Sequence, residues 1–87
     1  MSRIELSVKM FGPLARLAGA RSEVTITVPE GVALNSEQVT QLLGAQYPDL
    51  AASLPACRLA VNHEFAGADQ PISPTDELAL VGMVSGG

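Results

Sequence analysis

The chain has 87 residues, of which 47% are hydrophobic, and a formal net charge of −4. Its length predicts a single domain. Its acidic balance argues against nucleic-acid binding, which depends on Lys and Arg neutralising phosphates. With one Tyr, two Phe and no Trp, the core must be aliphatic. We expect no signal peptide, since the first residues carry no long apolar run, and no stretch approaches the ~20 apolar residues of a membrane span.

Alternation of apolar and polar residues predicts the first two strands. Ile4–Met10 and Glu23–Val28 both place apolar side chains at every second position, the pattern of a strand with one buried face. Between them, Pro13 suits the first turn of a short helix. The apolar stripe predicted for that helix, which should end at Gly19, comprises Leu14, Leu17 and Ala18.

A longer helix is predicted after the second strand. Asn35 or Ser36 can cap it, and Gln38 stands three residues after Asn35 as in a variant of the capping box. Its predicted core stripe is Val39, Leu42 and Leu43. The helix should end at Tyr47, because the residue before a proline is pushed out of the α region. One more helical turn is expected within residues 49–54.

The second half of the chain predicts three more strands. Cys57–Val61 forms the third, residues 62–64 a turn, and residues 65–66 a short return strand. Residues 70–76 contain two prolines and read as a loop. The last strand, residues 77–81, is an almost continuous apolar run, which predicts a strand that is central in the sheet or covered on both faces.

This order of elements predicts an α+β fold of the β-grasp (ubiquitin-like) type, with a mixed sheet and one main crossover helix. The first and last strands should pair in parallel. We expect residues 1–82 to form this domain and residues 83–87 a flexible tail that ends in Gly86-Gly87. Glycine has no Cβ, so such a tail could thread a narrow channel of another protein, and five extended residues reach roughly 16–18 Å.

Several segments resemble the sulfur-carrying small subunit of molybdopterin synthase, the MoaD family of the MoaD/ThiS ubiquitin-like sulfur carriers. The resemblance covers essentially the whole chain. It rests on residues 11–19 (FGPLARLAG), 28–31 (VPEG), 59–62 (LAVN), the Asp76-Glu77 turn and the end 84–87 (VSGG). Many family members carry a proline pair just before that end, where this chain has Gly82-Met83, so its tail should be less stiff.

The resemblance implies a chemistry that takes place at the last residue. Gly87 would be adenylated by a ubiquitin-activating-type adenylyltransferase that uses ATP, and a sulfur donor protein would convert it to a thiocarboxylate. The tail, with Gly86 and residues Met83, Val84 and Ser85, would enter the large subunit of molybdopterin synthase. Sulfur would pass to precursor Z, in a heterotetramer of two large and two small subunits. We expect the chain itself to bind no cofactor, metal, nucleic acid or membrane, and to work in the cytoplasm.

The residues themselves offer no internal catalytic set. His63 is the only histidine, stands beside Glu64 in a predicted turn, and has no companion metal ligands in the sequence. Cys57 is the only cysteine, which excludes an internal disulfide and favours a reducing compartment. It begins an apolar strand, so we expect a buried structural thiol. The absence of such a set is compatible with what the resemblance implies, a sulfur-donating subunit whose partners supply the catalysis.

Three alternatives stay open at this point. The chain could be a carrier for thiazole synthesis (the ThiS type) or for another sulfur acceptor. It could be a ubiquitin-like protein modifier, although Lys9, its only lysine, leaves almost no site for chains built on itself. It could also be a plain β-grasp binding module whose two final glycines are incidental.

Overall fold

The computed structural model describes residues 4–32 and 34–82. The strands are β1 Ile4–Met10, β2 Glu23–Val28, β3 Cys57–Val61, β4 Glu64–Phe65 and β5 Leu78–Gly82. The helices are α1 Pro13–Leu17, α2 Ser36–Gln46 and α3 Pro48–Ala51, followed by a 3-10 helix at Leu54–Ala56. The predicted return strand thus begins one residue earlier than expected, and the predicted extra turn is α3 together with the 3-10 helix.

The five strands form one mixed sheet in the order β2-β1-β5-β3-β4. β1 pairs with β5 in parallel, while β1–β2, β3–β4 and β3–β5 are antiparallel. β2 and β3 therefore run in the same direction on opposite sides of the β1–β5 pair, and α2 lies on the crossover between them. This is the predicted β-grasp, and the last strand is central as expected.

One face of the sheet packs against the helices to form an aliphatic core. The alternate apolar residues of β1 and β2 are buried as the alternation predicts, except Ile4, which is half-buried. Val39 and Leu43 of α2 are completely buried against them. Gly44 of α2 also allows close packing, since a Cβ there would lie 3.0 Å from Leu54 Cδ1.

The helix boundaries follow from local capping. The Asn35 side chain accepts a hydrogen bond from the Gln38 backbone N–H at 2.9 Å, which satisfies one of the free donors at the start of α2. Of the two cap candidates, Asn35 is therefore the one used. Tyr47 is the C-terminal cap and Pro48 begins α3, so the helix ends where the proline predicts.

Two residues of the predicted apolar stripes are less buried than expected. Leu17 is 37% exposed, because α1 is a single short turn that directs Leu14 and Ala18 to the core instead. Leu42 packs only at the margin of the core, while the adjacent Leu43 is fully buried. Successive residues point about 100° apart around a helix, so only one of the pair can face the sheet.

Candidate functional site

The tail that the sequence singles out lies outside the described residues; it comprises Met83, Val84, Ser85, Gly86 and Gly87. The structure describes the strand that leads to it. That strand is β5, which has β1 on one side and β3 on the other. Its final residue, Gly82, lies opposite Cys57, the first residue of β3. The point where the tail begins is therefore held at the end of the central strand.

The sheet face that points away from the helices is open, and its centre is apolar. Leu78 and Leu80 of β5 face the core, while the alternate residues Ala79 and Val81 are only half-buried. A row of paired residues crosses this face in the order Lys9, Ala79, Ala60 and Phe65. We call the apolar part of this surface the open-face patch; its members are Phe11, Ala60, Phe65, Ala79 and Val81.

The open-face patch contains two exposed phenylalanines around a shallow floor. Phe11 and Phe65 are 57% and 54% exposed, respectively. Ala60 and Ala79, with their small side chains, leave a depression of about 340 Å³ between them. The sequence predicted correctly that β5 is central, but its second face is left uncovered by the described residues of this chain. Contiguous exposed apolar surface of this kind marks a protein-binding site.

Charged groups form the rim of the open-face patch. The Glu77 carboxylate accepts a hydrogen bond from Lys9 Nζ at 3.0 Å and lies 3.5 Å from His63 Nε2. The hydrogen bond and positive charge of Lys9, with a smaller contribution from His63, lower the pKa of Glu77. On the opposite side, the Arg58 guanidinium lies 5.4 Å from the centre of the Phe65 ring. An apolar centre with a polar rim is the usual anatomy of a protein interface.

A hydrogen-bonded clamp fixes the start of β5 beneath this rim. Asn62 N–H donates to the Glu77 carbonyl at 2.8 Å, and Glu77 N–H donates back to Asn62 Oδ1 at 2.9 Å. The Asn62 amide also donates to Asp76 at 3.0 Å, and Asp76 accepts from Ser73 N–H at 2.7 Å. The Ser73 N–H and the Asn62 amide lower the pKa of Asp76. The sequence analysis singled out Asn62 and the Asp76-Glu77 turn as parts of two separate segments, but it did not predict their contact, because the clamp joins residues far apart in the chain.

A groove of about 550 Å³ lies at the root of the tail. Its lining comes from the start of α1, the segment before β3 and the end of β5, and includes Phe11, Leu14, Ala52, Ser53, Val81 and Gly82. Cys57 also lines it, and its thiol donates to the Ser53 carbonyl at 3.1 Å. Partial burial raises the pKa of this thiol, which disfavours a nucleophilic thiolate. Cys57 is thus a half-buried structural residue, close to the expectation.

His63 lies on the surface as predicted, with a side chain that is 79% exposed. Together, residues 4–32 and 34–82 contain no group of three His, Cys, Asp or Glu side chains that could hold a metal ion. Within the same ranges, no helix is both long and apolar enough to span a membrane. What the described residues do provide is an open apolar surface beside a strand that leads to the tail.

The fold and this surface define a ubiquitin-like β-grasp protein whose central last strand leads into its final residues. The ThiS family model matches residues 8–87, which is nearly the entire chain. The chain therefore belongs to the ThiS family of ubiquitin-like sulfur carriers. No curated protein sequence matches it significantly.

Solved structures of similar fold include two kinds of protein. SAMP1 from Haloferax volcanii is 25% identical, with a TM-score of 0.77, and the match covers 95% of this chain and 99% of that one. A putative molybdopterin converting factor subunit 1 from Pyrococcus furiosus is 19% identical, with a TM-score of 0.75 and coverages of 93% and 99%. A complex of subunits 1 and 2 of the molybdopterin-converting factor from Helicobacter pylori is matched at 19% identity and a TM-score of 0.61, with coverages of 97% and 100%.

Proposed function

We propose that this chain is the sulfur-carrying small subunit of a molybdopterin synthase, acting in the cytoplasm. Gly87 is the residue that carries the sulfur, as a thiocarboxylate, and residues 83–86 deliver it to the active site of the large subunit. There it donates sulfur to precursor Z, the acceptor in molybdenum cofactor biosynthesis. The proposal requires the Gly87 carboxylate to be free in the active protein.

The observation that carries the proposal is the position of β5. This strand is clamped at its start by Asn62, exposes an apolar face along its length, and ends at Gly82, five residues before Gly87. A partner that covers the open-face patch would therefore hold the beginning of the tail at a defined distance from its own active site. Docking and delivery are thus combined in one strand.

The comparisons support this choice of partner. The chain belongs to a family of sulfur carriers, and one of its structural neighbours is the H. pylori complex of the two molybdopterin-converting subunits. By analogy, the open-face patch is where the large subunit binds here, in a heterotetramer of two large and two small chains. Its exposed phenylalanines are the anchors, since large aromatic side chains carry much of the binding energy at interfaces.

The chemistry suits a chain without catalytic residues. A carboxylate resists nucleophilic attack until it has a better leaving group. The adenylyltransferase partner transfers AMP from ATP to the Gly87 carboxylate and releases pyrophosphate. The terminal sulfur of a persulfide on the donor protein then displaces AMP and forms an acyl disulfide, and a thiol reductant cleaves the S–S bond to leave the Gly87 thiocarboxylate and the donor's thiol. Both the ATP site and the acid–base groups belong to the partners. The carrier contributes only the terminal group and the surfaces that present it.

The docking step is tested by two matched truncations of exposed apolar side chains. Phe65→Ala removes an anchor from the open-face patch, whereas Leu17→Ala removes a comparably exposed side chain on α1, away from that face. Both variants should fold. Phe65→Ala should weaken binding to the large subunit by about thirtyfold or more, in the range of a hot-spot residue. Equal binding by the two variants would place the interface elsewhere.

A second candidate function is a protein modifier, and one specific observation favours it. The H. volcanii neighbour, at 25% identity, is a small archaeal modifier protein. In that case the activated Gly87 would form an amide bond with a lysine of another protein instead of accepting sulfur. Incubation with the activating enzyme, ATP and cell extract would then give heavier, covalently linked products.

The remaining alternatives, a thiazole carrier and a binding module, are distinguished by whether the chain is activated and by which acceptor receives its sulfur. Sulfur transfer to precursor Z by the chain with its large subunit supports molybdopterin synthesis. Transfer in a thiazole-forming system, with none to precursor Z, would indicate a thiazole carrier. A chain that is never activated by a competent adenylyltransferase would be a binding module.

A further inference from the structure

β2 forms one outer edge of the sheet and is the longer of its two edge strands, with six residues against two in β4. In an antiparallel pair, alternate residues direct their peptide groups toward the neighbouring strand and away from it. The peptide groups of Thr25 and Thr27 point away from β1. Their backbone atoms bond instead to the side chains of Gln46 and Tyr47, as described below. Outward peptide groups on an edge strand form a template for a further strand.

The side chain of Gln46 occupies this edge. Thr27 N–H donates to Gln46 Oε1 at 3.0 Å, and Gln46 Nε2 donates to the Thr27 carbonyl at 2.7 Å. A carboxamide has the same donor and acceptor as a peptide group. Gln46 therefore makes with Thr27 the pair of hydrogen bonds that an added strand would make.

Tyr47 closes the next position along the same edge. Its hydroxyl donates to the Thr25 carbonyl at 2.8 Å. Both side chains come from the last turn and the C-terminal cap of α2, and Pro48 fixes the point at which that helix ends. The helix end therefore places two consecutive side chains against two alternate residues of one strand.

The strand that fits this edge best is β2 of a second copy. Residues 23–28 (EVTITV) alternate β-branched apolar residues with polar ones, a composition that strongly favours strand pairing. Two antiparallel β2 strands would meet across a twofold axis with the same outward groups on each, which is the self-complementary geometry of a symmetric dimer. Val24, Ile26 and Val28 are buried in the core of each copy, so the pairing would rest on the outward peptide groups of the two strands.

We propose that Gln46 and Tyr47 are an edge guard, which keeps this chain monomeric by occupying the β2 edge against pairing with β2 of a second copy. The guard is independent of the sulfur chemistry. Its consequence is that the open-face patch and the tail remain the surfaces available to partners, while the longer edge of the sheet is closed.

The experiment compares self-association of the wild type with Gln46→Ala, Tyr47→Phe and the double variant, by analytical ultracentrifugation over a concentration series. Gln41→Ala is the matched control, since it removes the same side chain from an exposed position on the same helix. Gln46→Met, which preserves side-chain length and helix propensity, replaces Gln46→Ala if that variant fails to fold. Circular dichroism verifies the fold of each.

We expect the wild type and Gln41→Ala to stay monomeric and Gln46→Ala to dimerise. In a symmetric dimer both copies lose their Gln46 pair, so the dimer dissociation constant should fall by about a hundredfold, roughly tenfold for one net hydrogen bond per copy, and further in the double variant. Hydrogen exchange at the Thr27 amide locates the interface. In Gln46→Ala this amide should lose its protection against exchange at low protein concentration and regain it at high concentration.

Three outcomes would overturn the proposal. The first is a folded Gln46 variant that remains monomeric throughout the series. The second is a dimer in which Thr27 gains no protection, since the copies would then meet elsewhere. The third is a wild-type chain that dimerises as strongly as the variants.

Discussion

Gly82 lies directly opposite Cys57 in the antiparallel register between β5 and β3. The strand that leads to the tail is therefore held in the sheet up to its last described residue. A Cβ added at Gly82 would approach no closer than 3.9 Å, to Leu14 Cδ1, which is ordinary contact. The strand therefore offers room for a larger residue at Gly82.

The first prediction concerns the core. Leu43→Ala should lower the free energy of unfolding by about 2–5 kcal/mol, through lost transfer energy and the cavity left behind. Leu42→Ala, at the margin of the core, should cost less than Leu43→Ala. Urea denaturation of the two variants measures the difference, and a larger effect at Leu42 would mean that α2 is rotated relative to the sheet.

These two leucines also show what the sequence could and could not predict. Alternation in Ile4–Met10 and the proline after Tyr47 predicted β1 and the end of α2 correctly, because those signals are local. The stripe Val39, Leu42 and Leu43 did not reveal which leucine faces the sheet, since that depends on how the helix is rotated in the packed domain.

The candidate site was predictable to a similar extent. An apolar β5 predicted a central strand, but no local signal indicates whether its second face is covered by this chain or by a partner. The Asn62 clamp and the Gln46 pairing with Thr27 join residues that are 15 and 19 positions apart. Contacts of this kind follow from topology, and periodicity does not predict them.

The second prediction concerns the two-residue turn between β3 and β4. Asn62 and His63 both have positive φ values, of 53° and 71°. Left-handed backbone costs a residue with a Cβ about 1–2 kcal/mol, and glycine avoids that cost at some loss of entropy. His63→Gly should therefore raise the free energy of unfolding by about 0.5–1 kcal/mol. Thermal denaturation provides the measurement.

Asn62→Gly is the control for that turn. It relieves the same backbone strain but removes the side chain that binds Asp76 and the Glu77 N–H. We expect it to destabilise the protein. If both glycine variants were equally stable, the Asn62 clamp would contribute nothing.

The third prediction is a dependence of stability on pH that arises from Asp76. Its folded pKa is lowered by the Ser73 N–H and the Asn62 amide. A carboxyl group with a depressed folded pKa stabilises the protein above its unfolded pKa of about 3.9, and this contribution is lost as the pH falls through the folded value. Asp76→Asn, which resembles the protonated form, should be less stable than the wild type at neutral pH. The difference should shrink in acid, as denaturation at several pH values would show; a constant difference would contradict the assignment.

The fourth prediction addresses the width of the channel that would receive the tail under the proposed function. Gly86→Ala adds one methyl group and should leave the fold unchanged, yet it should lose most sulfur transfer because a narrow channel has no room for a Cβ or requires a positive φ. Ser85→Ala is the matched control and should retain activity. Transfer to precursor Z, measured with the large subunit, compares them, and full activity of Gly86→Ala would mean that the channel is not selective for glycine.

The most direct test of the carrier function is the intact mass of the chain after incubation with its adenylyltransferase, ATP and a sulfur donor. The wild type should gain the mass difference between a sulfur and an oxygen atom, and fragmentation should place that gain at Gly87. A chain lacking Gly87 should show no gain, keep its fold and still bind the large subunit through the open-face patch. A wild-type chain that never gains this mass with a competent activating partner, or a Gly87 deletion that still supports molybdopterin synthesis, would contradict the proposed function.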